Sequence, residues 1–195
     1  MARKISRHYS DPLDLIWIDA ARQLGIEIRR SNEVFASWDG QHTLTLGTPE
    51  TLDPDDSLAQ LIFHELCHAV CEMPDGLTLP DWGLQSDNPE HRVREYACLR
   101  LQAALADQFQ LRTLMASTTV YRRYFDRIPT DALCDDGDPA VTMARAAHIR
   151  LLQSTWFPVL SQALQRTADI ARIVAGIAAP DSVWASGEVR TTAVR

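Results

Sequence analysis

His64, Glu65 and His68 stand in "FHELCH", residues 63–68, inside the apolar run "SLAQLIFHELCHAVCE". Two imidazoles and a carboxylate are costly to bury without partners, so this run needs a reason to contain them. On a helix, His64 and His68 lie one turn apart on one face, and their ring nitrogens can reach one metal ion together. Glu65 lies about 100° further round the axis. That is a poor position for a third ligand to the same ion, but it is within reach of a water bound to it. This is the mechanical content of H-E-x-x-H: two zinc ligands and a general base. The competing reading is a pair of core histidines satisfied by hydrogen bonds.

A catalytic zinc takes a third protein ligand and keeps a fourth position open. Glu95 is the leading candidate. It precedes the apolar helical face of "YACLRLQAAL", and a carboxylate turned to that face is explained by a cation. His91 lies one turn earlier on the same face and competes for the role. Glu90 falls in a first helical turn, where the helix dipole alone accounts for it. Cys71, at i+7 from His64, sits too far along the helix. An ion pair of Glu95 with Arg92, Arg94 or Arg100 is the alternative to ligation. Tyr121, Tyr124, Arg145 and His148 are candidates for steadying an oxyanion, and spacing does not choose among them. Asp75, Asp81 and Asp107 are candidate partners for the second nitrogen of a ligating imidazole. Trp82, beside Gly83, is read either as the floor of a site or as one packed side chain in a surface loop.

These residues need elements to carry them. Asp11-Pro12 reads as an N-cap followed by proline at the first helical position, with Gly25 as the stop. "IEIRR", "VFASW" and "HTLTLG", with Asp39-Gly40 between the last two, predict a small antiparallel sheet over residues 26–47. Asp53-Pro54 predicts the start of the motif helix, 54–72, apolar nearly all round and therefore buried. A second metal helix is predicted over 89–110, opened by Asn88-Pro89-Glu90. A shorter helix is expected at "VYRRYFDRI", and C-terminal helices over 139–178, broken around Trp156-Phe157-Pro158. Residues 1–180 read as one domain and 181–195 as a flexible tail.

"HELCH" followed by a helix-borne glutamate resembles the zincin metallopeptidases, in particular the gluzincins. The resemblance covers about residues 26–105. It implies an α+β, mostly helical zincin-like domain with a small sheet packed on the HExxH helix. It also implies an edge strand, at "HTLTLG", that binds extended peptide. It implies Zn2+ held by His64, His68 and Glu95, with Glu65 as general base, and a peptide or protein as substrate. "HELCHA" is also similar to the SprT-like proteases, but their further histidine in a Gly-containing motif and their zinc ribbon have no counterpart here.

The chain has 195 residues, 46% hydrophobic and 23% charged, with a net charge of -7. This suits one soluble globular domain and offers no basic field for nucleic acid. No apolar run is long enough for a membrane span, and the basic start "MARKISRHYS" has no apolar h-region behind it. A cytoplasmic protein is expected. The four cysteines, Cys67, Cys71, Cys98 and Cys134, are then expected to be free thiols. They contain no CxxC pair. The alternatives to a peptidase are an iron oxygenase, since two histidines and a carboxylate also hold iron, and a metal-binding regulatory protein on a similar scaffold. An intact Glu65 argues against the last.

Overall fold

A computed structural model describes residues 6–85, 88, 91–118 and 120–185. The architecture is α+β, with helices packed mainly on one another beside a small three-stranded sheet: α1 (Pro12–Gln23), β1 (Glu27–Ser31), β2 (Ala36–Trp38), β3 (Thr43–Gly47), α2 (Leu58–Glu72), α3 (His91–Asp107), the short α4 (Arg122–Phe125), α5 (Ala140–Leu152) and α6 (Trp156–Val174). Among the described residues, no helix is long and apolar enough to cross a membrane.

α1 starts as its sequence dictates. The Asp11 carboxylate accepts the Leu13 N–H at 2.8 Å and Pro12 takes the first position. The hairpin between β2 and β3 also forms. Asp39 closes its turn by accepting the N–H groups of Gln41, His42 and Thr43 at 2.7, 2.8 and 3.0 Å. Burial opposes the Asp39 charge, but these backbone donors outweigh it and hold the carboxyl down at about 2. Gly40 has φ +75°, and a Cβ there would meet Pro80 N and Thr78 O at 3.0 Å. Only glycine lets the hairpin tip and the 78–80 backbone approach so closely.

The sheet departs from the antiparallel expectation in two ways. Its order is β1-β3-β2, and β1 runs parallel to β3. β3 is therefore the central strand, with Leu44 and Leu46 fully buried, and "HTLTLG" is not an edge. The edges are β1 and β2. Alternating residues indicate strands but not their neighbours. Here residues 32–42, which include β2, give the chain the length that a parallel pairing requires.

α2 begins at Leu58, four residues later than Asp53-Pro54 suggested. Ser57 is its cap, accepting the Gln60 N–H at 3.1 Å. Asp53 and Asp56 instead close a turn between them, Asp56 Oδ2 accepting the Asp53 N–H at 2.8 Å. Every residue of α2 from Leu58 to Cys71 is buried, against α1, α3 and α5. α3 ends at Asp107, short of residue 110, where Gln110 takes φ +59° and the chain turns away. Pro89 and Glu90 lie outside the described residues. The break between the C-terminal helices falls at residues 153–155, just before Trp156-Phe157-Pro158, which form the first turn of α6, where a missing N–H costs nothing. Of the expected tail, Val183 and Trp184 pack on the main core, and residues 186–195 lie outside the described ones.

Candidate metal centre

α2 and α3 bring three predicted residues to one place. His64 Nε2 and His68 Nε2 are 3.1 Å apart. The Glu95 carboxylate spans them, Oε1 at 3.4 Å from His64 Nε2 and Oε2 at 3.3 Å from His68 Nε2. Two tetrahedral zinc ligands with bonds near 2.0–2.1 Å lie roughly 3.3 Å apart, so these spacings fit a single small cation. His64 and His68 are 5% and 4% exposed and Glu95 retains 17% of its side-chain surface. The donors are therefore dry, with the carboxylate nearest to solvent.

Without a cation, a proton must occupy the space between these atoms. Burial opposes a charged His64, but the hydrogen bond and charge of Glu95 outweigh it and push the imidazole up to about 9. Burial likewise opposes the charge on Glu95. The imidazoles, His68 foremost, overcome it and hold the carboxyl well below the usual range. A cation would take the proton's place, so the same electrostatics that raise His64 favour a metal.

The second nitrogen of His64 has a fixed partner. Gln102 Oε1 lies 2.9 Å from Nδ1, and the Gln102 amide N–H is spent on Met115 O at 2.8 Å. The amide oxygen is thus turned to the ring and takes the Nδ1 hydrogen, which leaves Nε2 as the nitrogen that faces Glu95 and could bind a cation. This role was expected of Asp75, Asp81 or Asp107. Asp81 instead accepts the Trp38 backbone N–H at 3.1 Å, and Asp107 pairs with Arg112. Gln102 follows Glu95 by seven residues, two turns along the same face, and that spacing is the signal that could have found it. His68 Nδ1 is buried with no partner among the described residues.

His64, His68 and Cys98 also form a group that can hold a metal, with donor atoms within 4.8 Å of one another. The spacing is looser than that of Glu95. Cys98 Sγ lies 3.8 Å from Nδ1 of His64, the nitrogen that Gln102 already takes. Burial pushes the Cys98, Cys67 and Cys71 thiols up, which disfavours the thiolate a metal needs. All four cysteines are free.

His91, the competitor of Glu95 on the same helix, is engaged elsewhere, and so are two of the arginines that could have paired with Glu95. His91 Nδ1 accepts the Gln85 N–H at 2.7 Å. Arg94 pairs with Glu72, and Arg100 with Asp136 and Asp138. Of the oxyanion candidates, Tyr124 receives Arg100 Nε at 2.7 Å and donates to Asp138 at 2.8 Å. Arg145 donates to Leu133 O, Tyr121 packs edge-on against Tyr96, and His148 keeps a buried Nε2 without a partner among the described residues.

Glu65, 9% exposed, accepts the Trp82 indole N–H on Oε2 at 2.8 Å. Trp82 is a buried side chain stacked on Trp38, ring centroids 4.5 Å apart and planes 6° from parallel. Its segment is strained. Asp81 and Trp82 have φ 48° and 57°, and Gly83 has φ 71°. A left-handed residue other than glycine costs about 1–2 kcal/mol, so two in succession must be held by their surroundings. Arg94 supplies part of that hold. It pairs with Glu72 and donates to Gly83 O at 3.1 Å and Trp82 O at 3.4 Å.

No protein-family model, curated protein or solved structure matches this chain.

Proposed function

We propose that this protein is a zinc-dependent metallopeptidase of gluzincin type. The observation that carries the reading is the Glu95 carboxylate lying against Nε2 of both His64 and His68, with Glu65 on the same helix. His64, His68 and Glu95 would hold the ion, giving two neutral imidazoles and one carboxylate, the three protein ligands a catalytic zinc takes. Zinc so held supplies an acidified water and a polarised carbonyl. Glu65 then acts as the base. One of its oxygens is occupied by the Trp82 N–H, and the other takes the proton from the attacking water and returns it to the leaving amine. Gln102 keeps the His64 lone pair turned to the ion. The substrate is a peptide or protein segment. The compartment is the reducing cytoplasm, which suits four unpaired cysteines.

Elemental analysis of protein purified without a metal-affinity tag tests the site. About one zinc per chain is expected in the wild type, and sharply less in Glu95→Ala. Glu65→Gln should keep its zinc and lose about 10²–10⁴-fold in peptide cleavage. Iron in place of zinc would favour oxygenase chemistry. Full zinc in Glu95→Ala would remove Glu95 from the ligand set, and no metal in either protein would overturn the centre altogether.

A further inference from the structure

We infer that Trp82 is a positioning residue for the general base, its indole N–H holding one oxygen of Glu65 so that the other is presented to the attacking water. The inference deepens the metallopeptidase reading and rests on it.

The contact is buried on both sides. Trp82 is 2% exposed and donates to Glu65 Oε2 at 2.8 Å. An indole has one donor and no acceptor. It can therefore fix a carboxylate oxygen without ever taking the proton that the base must carry. A histidine or tyrosine in its place would compete for that proton. The partner oxygen, Oε1, receives nothing from Trp82.

The indole is in turn fixed on several sides. Its ring lies on Trp38. Trp38 is itself anchored through Nε1 to Leu77 O at 3.0 Å and through its backbone N–H to Asp81 Oδ1 at 3.1 Å. The left-handed turn of Asp81, Trp82 and Gly83 aims the side chain inward from a segment that otherwise runs over the surface. A tryptophan placed only to fill space does not need that backbone. Gly76 makes the seat possible, since a Cβ there would meet Glu72 Cβ at 2.4 Å and Trp82 O at 3.0 Å. Arg94, which holds Trp82 O and Gly83 O, adjoins Glu95 in sequence. One rigid helix thus sets the turn that fixes the base and the carboxylate that faces the two imidazoles.

Two variants separate the hydrogen bond from the packing. Trp82→Phe keeps a ring against Trp38 and removes the N–H. Benzothienylalanine, introduced at position 82 alone, keeps the bicyclic shape and replaces the N–H by sulfur. Both should retain zinc. On a peptide that the wild type cleaves, kcat should fall at least about tenfold with KM changed by less than about twofold, since a bond to the base acts on the transition state and not on substrate binding. In a Glu65→Gln background, Trp82→Phe should bring no further loss. The indole ¹H–¹⁵N NMR signal of Trp82 in zinc-loaded protein, identified by its disappearance in Trp82→Phe, should move on Glu65→Ala while those of the other tryptophans stay.

Undiminished kcat in both variants overturns the inference. So does a rise in kcat, which would make the turn a cover over the site, or a Trp82 signal indifferent to Glu65→Ala. A wild type that cleaves no peptide, or a Glu65→Gln that cleaves as well as wild type, overturns the metallopeptidase reading and this inference with it. Inactive Glu65→Gln beside fully active Trp82 variants overturns this inference alone.

Discussion

Gln102 decides which nitrogen of His64 carries hydrogen. Its oxygen takes the Nδ1–H, and its own N–H groups cannot turn inward because Met115 O holds one of them. Gln102→Leu removes both bonds at nearly constant volume. Zinc affinity should weaken about 10–100-fold, measured by competition with a chromophoric chelator, and secondary structure should persist. The candidate site was legible in sequence where chemistry and helical period coincide: His64 and His68 one turn apart, Glu65 beside them, Glu95 on the apolar side of the next helix. The supports were less so. Gln102 shares the face of Glu95, but glutamine on a helix is common and carries no charge to draw attention. Trp82 reaches Glu65 only because two residues adopt left-handed backbone, and no local pattern announces that.

At the scale of elements, the cap of α2 is the instructive case. Asp53-Pro54-Asp55-Asp56 has the grammar of a helix start, yet the Asp56 carboxylate turns back to the Asp53 N–H and Ser57 becomes the cap. Ser57→Ala should cost about 1 kcal/mol in urea unfolding, whereas Asp53→Ala should not weaken α2 itself. α1 and α2 were readable because apolar residues at helical spacing are followed by a stop signal, Gly25 and Pro74, whereas α3 has none and ends earlier than its pattern suggests. The sheet was half readable. Asp39-Gly40 indicates the hairpin, but β1 pairs parallel with β3 through contacts distant in sequence that alternation does not encode. That pairing moves β3 to the centre and leaves β2, beside the Trp82 turn, at the margin.

The whole molecule is tied together by a bond across its ends. Trp17 of α1 donates Nε1 to Thr167 Oγ1 of α6 at 3.0 Å, and its ring meets Phe63 of α2 at 4.9 Å. All three side chains are buried. Thr167→Val keeps the volume and leaves the indole N–H unpaired, so it should cost about 1–3 kcal/mol and lower the thermal midpoint with zinc content unchanged. One core thus joins α1 to both the motif helix and α6, and the candidate metal site lies on a helix held by contacts that never touch it.

The Asp81 carboxylate on the Trp38 backbone N–H has a consequence beyond the site. β2 is a margin of the sheet, and an unsatisfied donor there is an invitation to another chain. Asp81 fills it with a charged oxygen that belongs to the same molecule and that repels an approaching acidic copy. The turn that orients the tryptophan therefore also occupies an outward donor of the sheet's margin, and Asp81, the residue that does so, is the first of the turn's left-handed residues.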